Sequence, residues 1–325
     1  ARGFLADPCF AQKVLTGMPY NRCQGCNKCI EAVLKGKPVL CAYNPEVGHE
    51  EEEKTHRKVI SAKKILVVGA GPAGLEAAKK SAERGYKTIL CTKDNKLGGM
   101  LVSASVPPEK QDLIKYVENK KYELEQLGVD IRYGTEVDGE FVKELNPYFV
   151  VEAIGSNAVI PPIKGIDREN VYMALDVLNG GHELLETLKK GSTIIIGGGS
   201  VGLETARFIA SKHYATEKSK SFNEMFIGSD IPAVDIPLKI TVVEMTKKIG
   251  RDLGGLKWIV KKEVKADGIK TMTETAVKEI GDGYVLAETA EGEIKIPADN
   301  IIIAAGFTPR SSNITLECLD EKISY

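Results

Sequence analysis

The sequence predicts an α/β protein with two Rossmann-like dinucleotide-binding domains preceded by a cysteine-rich segment, and three observations carry that prediction. Gly69-Ala-Gly71-Pro-Ala-Gly74 follows the apolar run Ile65–Val68, and Gly197-Gly-Gly199-Ser-Val-Gly202 follows Ile194–Ile196. Each glycine pattern also opens a helix-like stretch, the setting in which such a loop cradles a pyrophosphate rather than merely turning the chain. Ahead of both stand Cys23, Cys26, Cys29 and Cys41. Two phosphate loops in one chain describe a protein that holds two dinucleotides. The natural pair is a flavin and a nicotinamide, with a hydride passing between them.

Taken in order, residues 1–60 read as irregular and end in the charge run 49–58 (HEEEEKTHRK), which a solvated linker explains. From Lys64 the pattern becomes βαβ. A strand covers 64–69, a helix 75–84 with Ala77, Ala78 and Ala82 on its close-packing side, and a strand 88–92. Helical periodicity spans 111–127, with Leu113, Ile114, Val117, Tyr122, Leu124 and Leu127 as the apolar face, and strands follow at 129–133 and 148–153. The cycle then repeats with a strand at 192–197, a helix at 202–211, a strand at 239–244 and a helix at 256–265. Strands near 270–273, 284–288 and 293–296 lead to a closing strand at 300–304. Ala153-Ile-Gly155 and Ala304-Ala-Gly306 end equivalent strands, which is duplication at domain scale. Residues 212–236 swell the second βαβ unit beyond its usual length of about 30 residues and read as a surface loop.

Composition narrows the function. The chain has 325 residues, 44 basic against 45 acidic, and a formal charge of −1, which argues against a nucleic-acid surface. No apolar run reaches the length of a membrane span and no signal-peptide pattern opens the chain, so a soluble cytoplasmic protein is expected. In that setting, clustered cysteines hold metal more readily than they form disulfides. Structural zinc takes two separated Cys-x-x-Cys pairs, whereas three cysteines at Cys-x-x-Cys-x-x-Cys with one distant partner suit a cubane. Cys23, Cys26, Cys29 and Cys41 are therefore the expected ligands of a [4Fe–4S] cluster. Cys9 is left as a spare thiol, and Cys91 and Cys318 as small buried residues outside any redox pair.

The spacing of the loops has a steric and electrostatic reason. The first glycine permits the turn, the second lets backbone approach the pyrophosphate, and the third lets the helix pack against the strand with its positive end toward the phosphates. Glu244 ends the second strand of the later unit, where a carboxylate accepts both ribose hydroxyls and repels a 2′-phosphate, so NADH is expected over NADPH. Glu204 falls in the expected first helical turn, where the helix dipole alone accounts for part of its presence.

Further text joins these motifs: Phe4-Leu-Ala-Asp-Pro8, Cys26-Asn27, Asn44-Pro45, Leu97-Gly-Gly99, the stretch from Val106 to Asp130, and Val243-Glu-Met245 through Gly250. In this order the chain resembles, over nearly its whole length, the iron–sulfur flavoenzymes related to 2,4-dienoyl-CoA reductase, 2-enoate reductase and trimethylamine dehydrogenase. The resemblance implies domains of glutathione-reductase type: a cluster segment and linker over 1–60, an FAD domain over 61–168 with 307–325 as the start of its return segment, and an NAD(H) domain over 169–306. It implies FAD contacts from Gly69, Gly71, Pro72, Ala73, Gly74, Thr92, Lys93, Gly99, Met100, Val137, Ala153 and Gly155. For NAD(H) it implies Gly197, Gly199, Ser200, Val201, Gly202, Glu204, Glu244 and Gly306, with Glu204 bordering the nicotinamide. Members of this family carry FMN and substrate in an N-terminal eight-stranded β/α barrel. Electrons pass from NAD(P)H through FAD and a four-iron cluster to FMN and an activated C=C bond. In the trimethylamine branch they flow the other way, to an electron-transfer flavoprotein. This chain resembles the part that follows the barrel, so FMN is expected only on a missing barrel or partner.

Three departures from the family stand out. Only Asn27-Lys28 separate the second and third cysteines, where three residues are usual. Thr92 replaces the ribose-binding acid of the flavin unit, and a hydroxyl holds a ribose less strongly than a carboxylate. No Gly-Asp occurs in 307–325, where the family brings one back to the flavin. The expected function is an NADH-dependent electron-transfer module working with an FMN-containing partner or an electron-transfer protein, as part of an oligomer. It has no general acid or base of its own and no nucleic-acid or membrane partner. An amine-dehydrogenase type sending electrons outward and an electron-bifurcating or glutamate-synthase-like small subunit are the enzyme alternatives. A nucleotide-binding scaffold is the non-enzymatic one.

Overall fold

The computed structural model describes residues 1–55, 63–188, 191–213, 239–312 and 314. The later part of the charge run, the expected loop from 214 onward, Cys318 and the return segment from 315 lie outside them. Two compact units result. Unit 1 takes residues 1–105, 111–157 and the stretch from Pro309; unit 2 takes 106–110 and 158–308. The cysteine-rich segment thus belongs to the first unit, and the 158–168 stretch, grouped with the flavin domain on sequence, belongs to the second.

The reading of 1–60 as irregular is corrected. It contains helices α1 (Arg2–Ala6), α2 (Phe10–Thr16), α3 (Lys28–Leu34) and α4 (Glu50–Thr55). Each is five to seven residues long, too short for apolar periodicity to register. Local contacts fix them. Asp7, 4% exposed, accepts N–H bonds from Cys9 (3.0 Å) and Asn21 (3.1 Å) and pairs with Lys13 at 2.8 Å. Phe4, Phe10 and Tyr20 meet edge to face.

The sheet of unit 1 comprises β1 (Lys64–Val68), β2 (Lys87–Cys91), β3 (Asp130–Arg132) and β4 (Phe149–Glu152), all parallel in the order β3-β2-β1-β4. Ile65–Val68 are buried without alternation, as a strand covered on both faces requires. On one face α5 (Pro72–Glu83), α6 (Met100–Ala104) and α7 (Leu113–Gln126) bring Leu75, Ala78, Leu101, Val117 and Leu124 against Leu90 and Val67. On the other, Val142 of α8 (Gly139–Leu145) packs with Leu66, Ile89 and Val150. The expected face of α7 holds at Val117 and Leu124 but not at Leu127, which is exposed, while Asn119 and Lys120 are buried. The cysteine-rich segment supplies the reason. Asn119 Nδ2 donates to Asn21 Oδ1 at 2.6 Å, and Tyr116 meets Tyr43 edge to face at 4.9 Å.

Short strand β5 (Ser156–Ala158) stands where the chain leaves unit 1. Unit 2 contains β6 (Val171–Met173), α9 (Ala174–Thr187), β7 (Ser192–Ile196), α10 (Ser200–His213), β8 (Lys239–Val243), α11 (Lys257–Ala266) and β9 (Lys270–Met272). An antiparallel meander follows, β10 (Ala276–Ile280), β11 (Tyr284–Thr289) and β12 (Gly292–Pro297), then β13 (Asn300–Ile303) and β14 (Phe307–Pro309). The parallel sheet runs β6-β13-β7-β8-β9. Ile195 and Ile302 face α10 and α9, and Ile194 and Ile301 face the meander with Val285 and Ile280. Arg207 fixes α10 to α11 through Glu263 (2.7 Å) and Asp267 (3.0 Å).

Candidate dinucleotide sites and cysteine cavity

The first glycine loop joins β1 to α5, and its geometry follows from contacts that no side chain could share. Gly69 has φ +102°, and a Cβ there would lie 2.3 Å from the Ala153 carbonyl oxygen; one on Gly74 would lie 1.8 Å from that of Gly69. These two glycines draw α5 onto β1 and onto the end of β4. At Gly71 a Cβ would meet nothing within 4 Å, so the middle of the loop is open space. Pro72 takes the first helical position and no side chain caps the helix, leaving its positive end available to an anion. Pro72, Ala73, Gly99 and Met100 are exposed, and Gly99 approaches Gly71. Ala153 closes the loop from behind, while Gly155 is exposed and its carbonyl accepts the Arg310 N–H at 3.0 Å. Val137 is half-buried and packs against the core of unit 1. Thr92 is 5% exposed and its hydroxyl accepts the Asp94 N–H at 3.3 Å, so Lys93 and Asp94 are the exposed groups at that strand end.

The second loop repeats these contacts between β7 and α10. Cβ atoms on Gly197 and Gly202 would lie 2.2 Å from the Ala304 oxygen and 2.0 Å from the Gly197 oxygen. Glu244, at the end of β8, faces the loop: its carboxylate accepts the N–H of Gly198 and that of Thr246, each at 2.8 Å. Asp252, which the sequence reading did not single out, accepts the Ser200 N–H at 2.9 and 3.0 Å and the Ser200 hydroxyl at 2.5 Å. Burial works to raise its pKa, but the Ser200 hydrogen bonds and the Lys110 charge outweigh it and hold the carboxyl below its ordinary range. The helix begins at Ser200, two residues before the expected start, so Glu204 is not in the first turn. Its carboxylate pairs with Lys110 instead of capping the helix. Val201 and Gly306 line a small apolar pocket with Met173, Ala174, Ile303 and Phe307.

Cys23, Cys26, Cys29 and Cys41 face one cavity, together with Arg2, Leu5, Gln24, Asn27, Ala42 and Tyr43. Gly25 and Asn27 adopt left-handed conformations (φ +66° and +58°), which wind the Cys-x-x-Cys-x-x-Cys run around the cavity despite the shortened spacing. The Tyr43 N–H donates to Cys41 Sγ at 3.4 Å. Burial first, then the neighbouring Cys26, raises the Tyr43 hydroxyl pKa, so this phenol stays neutral beside the thiols. No group of three or more His, Cys, Asp and Glu among the described residues is arranged to hold a metal ion. Cys9 is exposed, and Cys91 is buried in the core of unit 1. Among the described residues, no helix is long and apolar enough to cross a membrane.

The profile of the pyridine nucleotide-disulphide oxidoreductase family matches residues 63–323. A metal reductase of Desulforamulus reducens is 34% identical over 100% of this chain and 49% of its own length. An NADH oxidase of Thermoanaerobacter brockii is 33% identical over 97% of this chain and 46% of its own. The structure of a 2-naphthoyl-CoA reductase bound to 2-naphthoyl-CoA superposes with a TM-score of 0.81 at 27% identity, covering 100% of this chain and 45% of that one. The chain spans about half the length of the curated relatives it matches. It belongs to the pyridine nucleotide-disulphide oxidoreductase family, as the FAD/NAD module of the enoate reductase and trimethylamine dehydrogenase group of flavoenzymes.

Proposed function

We propose that this chain is an NADH-oxidising electron-transfer module, with FAD on the first glycine loop, NAD(H) on the second and a [4Fe–4S] cluster on Cys23, Cys26, Cys29 and Cys41. It serves an FMN-containing, enoate- or enoyl-CoA-reductase-like catalytic domain or subunit. The observation that carries this reading is the convergence of the four cysteines on one cavity within the unit that holds the first loop. A zinc ion would need its sulfurs about 2.3 Å from one centre. The thiolates of a cubane are instead bound to separate irons, which suits four cysteines spread around one cavity.

A flavin held on the first loop would supply two-electron acceptance from a nicotinamide, and a four-iron cluster on the cysteines would supply one-electron transfer. The chain's own residues position these groups. The open space at Gly71 and the uncapped end of α5 suit the flavin pyrophosphate, and Glu244 suits the adenosine ribose of NADH. The Tyr43 N–H to Cys41 Sγ would stabilise charge on that sulfur. Phe4, Val14, Leu15, Met18, Ile30, Val33, Leu34 and Leu40 are all exposed on the cysteine-rich segment, a surface suited to a catalytic domain docked beside the cluster. The outward-feeding amine-dehydrogenase alternative has no use for a second dinucleotide, and Gly197, Gly199, Gly202 and Glu244 weigh against it.

Cys26→Ser and Cys41→Ser test the assignment. Chain purified without oxygen should carry about four iron and four sulfide, each variant should lose most of both, and flavin content should stay unchanged. One zinc per chain, or iron that survives both substitutions, would overturn it.

A further inference from the structure

The two loops differ at the helices they open. α5 starts behind Gly71 with no side-chain cap, whereas the Ser200 amide and hydroxyl at the start of α10 are both held by Asp252. A carboxylate in this position satisfies the same N–H groups, and the same end of the helix dipole, that a dinucleotide pyrophosphate uses. The two anions therefore compete for one place. The loop's middle glycine points the same way: a Cβ on Gly199 would lie 3.5 Å from the Asp252 carboxylate, where the corresponding position at Gly71 is empty.

The segment carrying Asp252 is tethered and not locked. Gly250 (φ +61°) donates its N–H to the Gly198 oxygen at 2.7 Å, Gly254 (φ +52°) follows, and Asp252 itself is exposed to solvent. Swinging its side chain off Ser200 requires no core residue to move. Lys110, whose charge acts on Asp252, is already paired with Glu204 and stays beside the site.

We infer that Asp252 is a tethered competitor for the pyrophosphate of NAD(H): it fills the phosphate place in the free protein, must leave for the dinucleotide to bind, and so sets the affinity of the second site. This rests on the reading of the second loop as the NAD(H) site. Because the binding-competent state is only the fraction with Asp252 displaced, the apparent Kd exceeds the intrinsic one by the inverse of that fraction.

Isothermal titration calorimetry of the full chain tests it, with NAD+, ADP-ribose and adenosine as ligands and with D252N and D252A beside the unmodified protein. NAD+ and ADP-ribose should both bind about three- to tenfold more tightly to the variants, and adenosine, which has no phosphate, should bind all three forms alike. The two variants cover a folding failure of either one, checked by their flavin content. Unchanged or weaker NAD+ binding in both variants, with the unmodified chain binding normally, would overturn the role of Asp252 and leave the NAD(H) reading intact. Absence of NAD+ and ADP-ribose binding in all three forms would overturn both.

Discussion

At the scale of single residues, the glycines separate two jobs that the motif alone merges. Gly69 and Gly74 are required by close contact with backbone, while Gly71 is required only if a ligand fills the space beside it. Its φ of −73° suits any residue. Gly71→Ala should therefore fold with a thermal midpoint at or slightly above that of the unmodified chain, yet lose flavin by about tenfold or more in a ratio of visible to ultraviolet absorbance. Full flavin retention would remove the pyrophosphate from that place. The glycines, Glu244 and the four cysteines were legible because each belongs to a spaced motif, and the structure puts the glycines at two strand–helix turns, Glu244 against the second loop and the cysteines on one cavity. Asp252 was not, since a lone acid after Gly250-Arg251 carries no periodic or motif signal. Glu204 was misplaced because glycines at a loop mouth blur where a helix starts.

Among elements, the strands β1, β7 and β13 were read to within a residue or two, because strands covered on both faces carry apolar runs; the edge strand β4, with only Val150 buried, was read as closely from Phe149-Val-Val151. The short helices of the cysteine-rich segment were lost for the opposite reason. α7 shows a third case, in which a helix expected to be amphipathic buries a charge. Lys120 is 1% exposed and sits 2.6 Å from Glu76 of α5 and 3.1 Å from Glu123. Lys120→Met would leave Glu76 without this partner and Glu123 with only the longer pairs to Lys79 (3.6 Å) and Lys13 (3.9 Å), and should destabilise unit 1 by about 3–5 kcal/mol, measured by urea unfolding. Burial works to lower the Lys120 pKa, but Glu76 and Glu123 outweigh it and the net shift is upward. Its contribution is therefore fully present below the unfolded value of about 10.4 and is lost as pH rises through the higher folded value. Unmodified chain and variant should converge in stability only at strongly alkaline pH.

For the whole molecule, the repeated strand–glycine loop–helix was visible in sequence as two copies of one pattern, and each unit contains one copy. The division of the chain was less legible: residues 106–110 join unit 2 although they sit between helices of unit 1, and nothing in their composition marks the exchange. The proposed function requires that one chain couple NADH to an iron–sulfur cluster through a flavin. The most direct test is an anaerobic titration of the purified chain with NADH, followed by visible and EPR spectroscopy after iron, sulfide and flavin have been quantified. Coupling would appear as flavin bleaching together with the EPR signal of a reduced cluster. A chain that holds flavin and iron, yet shows neither change with excess NADH, would contradict it.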